Sequence, residues 1–271
     1  MDRIATANSA FRYRDSPHIS VSVQDGLATV VMGDAKSLNS LTRDFTFTLF
    51  HKLVELSHSD QVKVILLHSA AKIFCSGGNI AEIGSFNLKE RLRSDHLQYF
   101  KHLTTQISKP IIGVVHGVAF GGGFELALLC DIIVCSKDAK FAFKEVNLGL
   151  IPGLGGTLVA KTIGRYQTAK LIFTGNQISA QEAHELRIVD KVLETPEEAL
   201  KYGKGLAEKL AKMSMYALIA AKKAIRIAST ESMGVATEAE SAIFNPLLEL
   251  DGSREGVGAF LAKRPADFSG K

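Results

Sequence analysis

Apolar and polar residues alternate over residues 18–23 (HISVSV), the pattern of a strand with one wet face. Gln24-Asp25-Gly26 reads as a turn, and residues 27–32 (LATVVM) return as a second strand. The period then changes. Phe45, Leu49, Phe50, Leu53, Val54 and Leu56 recur at helical spacing, which predicts a helix over residues 42–56. Residues 62–68 (VKVILLH) form an apolar run of strand length. A second cycle follows: a helix over 88–107 with Leu92, Tyr99, Phe100 and Leu103 on or near one face, a stop at Pro110, and a buried strand over 111–115. Gly121, Gly122 and Gly123 turn the chain into a helix over 124–130, and short strands are expected at 132–135 and 140–143. Strands that alternate with helices to about residue 143 predict an α/β core.

From about Ala180 the pattern is nearly all helical. Ser179 with Glu182 makes a capping box, and Pro196 occupies a first-turn position in a helix over 196–212. Helices over 215–228, 231–250 and 253–263 follow. No Gly/Ser or Pro-rich linker divides the chain, and the strand–strand–helix cycle recurs loosely, as in a spiral of similar units.

Composition narrows the function. At 271 residues, 46% hydrophobic and 22% charged, the chain is neither a disordered segment, a collagen nor a long coiled coil. The net charge of +4 comes from 32 basic and 28 acidic residues mixed along the chain, so no nucleic-acid partner is expected. Cys75, Cys130 and Cys135 form no C-x-x-C pair, and the eight histidines contain no H-x-H or H-E-x-x-H, so no metal is expected. The apolar stretch 111–135 is long enough to span a bilayer, but it carries His116, Glu125, Asp131 and five glycines. It reads as strand, turn and buried helix, and no membrane partner is expected. Residues 1–17 lack the apolar segment of a secretory signal, and the expected compartment is the cytoplasm, with the mitochondrial matrix as the alternative.

Three clusters can carry chemistry. Phe74-Cys75-Ser76-Gly77-Gly78-Asn79-Ile80 follows a strand, and its two glycines permit backbone N–H groups to face a cleft; the plainer reading is a tight turn with Asn79 capping a helix. Gly121-Gly122-Gly123-Phe124-Glu125 opens a helix whose N–H groups suit an oxyanion. The helix continues Leu126-Ala127-Leu128-Leu129-Cys130, apolar on every side, so Glu125 needs a partner or a cleft. The third cluster, 143–157, is expected as an irregular loop shaped by Gly149, Gly153, Gly155 and Gly156, with Glu145 its one carboxylate. Glu145 is a solvated loop residue unless it converges with Glu125, in which case the pair would split acid and base roles.

These blocks resemble the crotonase family, the enoyl-CoA hydratase/isomerase superfamily. The matching segments are L-N-S-L at 38–41, F-C-S-G-G-N at 74–79, K-P-I-I-G-V-V-H-G at 109–117 and G-G-G-F-E-L at 121–126. C-D-I-I at 130–133, L-I-P-G-L-G-G-T at 150–157 and S-R-E-G-V-G-A-F-L-A-K-R at 253–264 complete the set, which runs from about residue 18 to the C-terminus. The resemblance implies a crotonase-like spiral of β-β-α units over 18–200 after an N-terminal extension at 1–17. A helical region over 201–271 would pack against neighbouring subunits, as a trimer or a dimer of trimers. It implies an acyl-CoA substrate, whose CoA is part of the substrate rather than a cofactor, and an enoyl-CoA hydratase reaction. An isomerase or a branched-chain hydratase shares the blocks, and a non-catalytic or RNA-binding relative is the reading from another class. By position, Gly78 and Gly122 would form the oxyanion hole, and Glu125 and Glu145 would be catalytic. Gly78, Asn79, Ile80, Ala81, Gly122, Phe260 and Lys263 would bind substrate, and the segment 83–103 would contribute to the acyl pocket. The chain departs from the family at Asn79, where Asp is frequent, and at Ala81, where Lys is frequent. It departs again at Arg187, where Gly is common, and at Ser214-Met215, where Ser-Pro is common.

Overall fold

The computed structural model describes residues 15–85 and 106–270, and element labels run over these residues. The antiparallel pair expected at the start is present as β1 (Ile19–Gln24) and β2 (Leu27–Met32). Only Ile19 of β1 is buried; Val21 and Val23 are exposed, as befits an edge strand. Helix α1 (Arg43–His58) is capped by Thr42, whose Oγ1 accepts from the Phe45 N–H at 3.2 Å. It buries Phe45, Leu49, Phe50, Leu53 and Leu56, the residues of the periodic pattern.

Strands β3 (Val64–Ser69), β4 (Ile111–Val115), β6 (Ile132–Ser136) and β9 (Lys191–Leu193) extend the first sheet in the order β1-β2-β3-β4-β6-β9, parallel from β2 onward. Strands β5 (Val118–Phe120), β7 (Lys140–Ala142) and β8 (Ile178–Ser179) form a second, three-stranded sheet. The apolar runs of β3 and β4 are continuous because both faces of a parallel sheet are covered. On one face lies the large cluster that includes Phe45, Phe74, Phe124 and Phe141. On the other, Ala199, Ala207 and Ala211 of α6 (Pro196–Ala211) pack on Leu66, Ile112 and Val114. Gly203 lets α6 sit this close: a Cβ there would lie 2.5 Å from Val114 Cγ2. Residue 200, the expected end of the spiral core, lies within α6.

Two successive turns of the chain each contribute one strand to the first sheet, one to the second, and then a helical segment. β4 passes into β5 and then α3 (Gly122–Leu128), and β6 passes into β7 and then the one-turn 3-10 helix Glu145–Leu148. The preceding turn has only a trace of the second strand, a parallel bridge from Cys75 to Ala119, before α2 (Ile80–Ser85). Ala119 in turn pairs with Phe141. Three successive turns are therefore in register at Cys75, Ala119 and Phe141.

Helices α4 (Gly155–Thr174) and α5 (Ala180–Glu185) follow, the latter with the expected capping box of Ser179 and Glu182. After α6 come α7 (Met215–Ala228), α8 (Met233–Leu247) and α9 (Asp251–Leu261). Helix α7 is fixed to the core by Lys222, which is 5% exposed. Its Nζ lies 2.6 Å from Asp131 Oδ2 and donates to the Lys109 carbonyl at 2.7 Å. The expected helix over 88–107 and the acyl-pocket segment lie almost wholly outside the described residues, as does most of the expected N-terminal extension. No helix among the described residues is long and apolar enough to cross a membrane.

Candidate active site

The register between turns brings the two glycine clusters together. Two residues beyond Cys75 and Ala119 stand Gly77 and Gly121, with φ of 101° and 51°, and one residue further stand Gly78 and Gly122. Side chains are excluded here on space as well as on torsion: a Cβ at Gly77 would lie 2.5 Å from the Phe120 carbonyl oxygen. A Cβ at Gly122 would lie 3.6 Å from Gly78 N, so the two amide groups are neighbours. The parallel bridge between Leu41 and Gly78 uses the Gly77 carbonyl and the Asn79 N–H, which turns the Gly78 N–H away from Leu41. Neither the Gly78 nor the Gly122 N–H has a hydrogen-bond acceptor among the described residues. Two adjacent, unspent donors at a helix start can receive one oxyanion.

The 74–79 loop is held by the 38–41 segment. The Ser76 N–H donates to the Leu38 carbonyl at 3.1 Å and the Leu41 N–H to the Gly77 carbonyl at 2.8 Å. Asn39 has no exposed surface and a φ of 53°; its Nδ2 donates to Ser69 Oγ at 2.8 Å and to the Phe74 carbonyl at 2.9 Å. Cys75 is buried beneath this loop, where desolvation pushes its thiol up to about 12, so it is no nucleophile.

Glu125 sits in the first turn of α3 and is 5% exposed. Its Oε1 accepts from the Leu154 N–H at 2.6 Å and from the Gly155 N–H at 2.7 Å. These are the opening amides of α4, a helix whose N-cap, Leu154, offers no side-chain cap. The Glu125 carboxylate therefore caps α4 from another element, where the helix dipole also favours a negative group. Phe124 stacks on Phe143 at 4.7 Å beneath it, and Gly155 packs against the Phe143 ring. Its Oε2 is left toward Gly122, 3.9 Å from where a Cβ would stand.

Glu145 opens the 3-10 turn and is half-buried. Its Oε1 lies 2.8 Å from the place a Gly121 Cβ would occupy, and its buried Oε2 has no partner among the described residues. Burial, reinforced by the charge of Glu125, holds its carboxyl above the usual range. The reading of Glu145 as a solvated loop residue is thereby corrected: the β5–β7 pairing draws it against Gly121, and the two glutamates converge on Gly121-Gly122. Expecting an irregular loop over 143–157 also needs correction, since Gly155 and Gly156 are the first turn of α4.

Other expected residues fall into two groups. Asn79 caps α2, its Oδ1 accepting from the Glu82 N–H at 3.0 Å, and Ile80 and Ala81 stand exposed on the first turn of that helix, beside Gly78. Phe260, 82% exposed, and Lys263 stand near the C-terminal end of α9. The Lys263 N–H donates to the Phe260 carbonyl at 3.1 Å, and among the described residues neither forms a hydrogen bond or ion pair with Gly78, Asn79, Ile80, Ala81, Gly122, Glu125 or Glu145.

Residues 22–271 match the family model described as Enoyl-CoA hydratase/isomerase. The chain belongs to the enoyl-CoA hydratase/isomerase family. It is 31% identical over 252 residues to the 2,3-dehydroadipyl-CoA hydratase of Escherichia coli K12, covering 93% of this chain and 98% of that one. It is 35% identical over 237 residues to the mitochondrial enoyl-CoA hydratase of Pongo abelii, covering 86% and 80%. Among solved structures, the enoyl-CoA hydratase subunit I of Geobacillus kaustophilus HTA426 superposes with a TM-score of 0.90 at 30% identity, covering 95% of this chain and all of that one. The fold is therefore the crotonase spiral that the sequence blocks implied.

Within that family fold, sequence reasoning missed the groups that position the catalytic candidates. Leu154 and Gly155 act through their backbone, for which residue identity gives no signal. Asn39 stands with Ser40 between two leucines, and the tolerance of asparagine for the positive φ it adopts here is the one hint the sequence carries.

Proposed function

We propose that this chain hydrates a trans-2-enoyl-CoA to a 3-hydroxyacyl-CoA. The observation that supports the reading most is the convergence of two carboxylates, carried by different elements, on Gly121-Gly122 beside two adjacent N–H groups without an acceptor among the described residues. The thioester carbonyl oxygen would lie between the Gly78 and Gly122 N–H groups and gain negative charge as water adds to C3. In other enzymes the loss of one such donor costs about 2.7–4 kcal/mol of transition-state stabilisation. Glu125, held by α4 through one oxygen, uses the other to take a proton from the attacking water. Glu145, whose pKa burial raises above its ordinary value, donates its proton to C2. The product carries OH on C3 and H on C2, and proton exchange between the two carboxyls and solvent resets the pair. The test is direct: hydration of crotonyl-CoA and longer trans-2-enoyl thioesters, followed as 3-hydroxyacyl-CoA, with trans-3-enoyl thioesters run beside them for double-bond migration. Migration without hydration would replace this reading by the isomerase one.

The substrate site would be completed by a second copy of the chain. Met233, Phe244, Leu248, Phe260 and Leu261 are exposed apolar side chains on and just beyond the C-terminal helices, and burying them against a neighbour would stabilise an oligomer. Phe260 and Lys263 then approach the CoA nucleotide bound to that neighbour. Lys263→Ala is expected to raise KM for CoA esters and leave kcat nearly intact, because a phosphate contact holds ground and transition states alike. An unchanged KM removes Lys263 from the site, and a stable monomer by light scattering removes the neighbour.

A further inference from the structure

Lys144, next to Glu145 in sequence, has no part in the reaction scheme, yet its side chain is committed. Its Nζ donates to the Gly175 carbonyl at 2.7 Å and lies 5.6 Å from the centroid of the Phe120 ring. Gly175 is the C-cap of α4, at φ 59°, and the Asn147 side chain also packs against it, 3.2 Å from where a Cβ would be. Phe120 immediately precedes Gly121, against which the Glu145 carboxylate rests. The 3-10 turn is thus fastened at one side to the C-terminal end of α4 and at the other to the strand that delivers the glycine cluster. A cation on the last carbonyls of a helix is placed favourably, as is a carboxylate on its first amides. The two helical pieces of α4, which meet at a break at Gly164, receive one each: Glu125 at the start of the first and Lys144 at the end of the second.

We propose that Lys144 is a positioning residue, which clamps the Glu145 turn to the end of α4 and to the Phe120 ring and so holds the Glu145 carboxylate against Gly121, opposite Glu125. The inference deepens the hydratase reading and rests on it for the kinetic effect only. Lys144 itself touches neither the water nor the thioester. Losing the clamp frees the turn and misplaces the Glu145 proton relative to C2, while the oxyanion donors and the CoA contacts remain.

The experiment compares wild type with Lys144→Met, which keeps the alkyl chain, and Lys144→Arg, which keeps a donor, together with Glu145→Gln and the double variant Lys144→Met/Glu145→Gln. Hydrogen exchange is read on the turn, where the Asn147, Gly149 and Leu150 amides donate within residues 144–150. Lys144→Met is expected to speed exchange there by about tenfold with the melting temperature nearly unchanged. It should lower kcat by between about tenfold and a hundredfold with KM for crotonyl-CoA within about twofold. Arginine should restore both, and in the Glu145→Gln background the methionine should cost no further kcat, because its effect passes through Glu145. Unchanged exchange, unchanged kcat despite faster exchange, or an undiminished loss in the Glu145→Gln background each overturns the proposal. If wild type hydrates no enoyl thioester, the hydratase reading fails instead, and the exchange arm alone decides whether Lys144 holds the turn.

Discussion

Glu125 and Glu145 are the same side chain in two differently built places. Glu125 rides on a regular helix, is nearly inaccessible, and has one oxygen fixed by two backbone amides of α4. Glu145 rides on a single 3-10 turn, is half-buried, and keeps one buried oxygen without a partner among the described residues. The first environment fixes position: two short hydrogen bonds leave Oε1 little freedom and aim Oε2 at the glycine pair. The second environment sets acidity, since burial, with a smaller contribution from the neighbouring Glu125 charge, outweighs the hydrogen bond from Glu145's own backbone and raises the cost of ionising. On the proposed reading, one fold would make a placed base and a tuned acid from identical residues by varying the surroundings of each.

The substitution with the largest expected effect is Gly122→Ala. Its methyl group would lie 3.6 Å from Gly78 N and 3.9 Å from Glu125 Oε2, between the amide pair and the Glu125 carboxylate. The nearest atom, Leu41 Cδ1 at 2.9 Å, is the end of a flexible side chain, so the fold survives. We expect kcat for hydration to fall by about 10²–10³, with a normal circular-dichroism melt. An active Gly122→Ala enzyme would place the oxyanion elsewhere.

Next in size is the stability cost at Glu125. Glu125→Ala leaves the Leu154 and Gly155 amides without their acceptor, and each buried donor so stranded costs about 1–3 kcal/mol. Urea unfolding should show that loss, and Glu125→Gln, which keeps a carbonyl oxygen for both amides, should lose less. Equal stability of all three proteins would mean that Glu125 does not cap α4.

Glu145 should respond in the opposite sense. Its folded-state pKa lies above the unfolded value, so the folded chain binds the proton more tightly. The associated stability is fully present below the ordinary glutamate value of about 4.3 and is lost as pH rises from there through the folded value. Glu145→Gln removes this loss. The variant is expected to match or exceed wild type in stability at neutral pH, with the gain shrinking as pH falls through the raised folded value and gone at the ordinary glutamate value. A variant that is less stable at neutral pH would show that Glu145 is held as a favourable carboxylate.

Much of this contrast was legible along the chain, and its limits are physical. The period of two in β1, the helical period of α1 and the continuous apolar run of β3 each follow from which faces are covered, and all are found within two residues of expectation. The burial of Glu125 was readable because every neighbour on α3 is apolar. Helix α4 was not readable. It opens with Leu154-Gly155-Gly156, has no side-chain cap, and is interrupted at Gly164, where φ is 78°. Its start is stabilised by a carboxylate 29 residues upstream, which no local pattern reports. Likewise, the meeting of Glu145 with Glu125 depends on the pairing of Ala119 with Phe141, a contact between turns of the spiral. Local periodicity predicts elements; the site exists only once the turns are in register.

The central claim is that Glu125 activates the water while Glu145 handles the proton at C2. It is tested most directly by measuring hydration of a trans-2-enoyl-CoA and migration of a trans-3-enoyl-CoA side by side on Glu125→Gln and Glu145→Gln. The account predicts that each variant loses about 10²-fold or more of hydration kcat, and that the double variant loses less than the product of the single losses. Full hydratase activity in Glu125→Gln, with migration abolished only in Glu145→Gln, would contradict it.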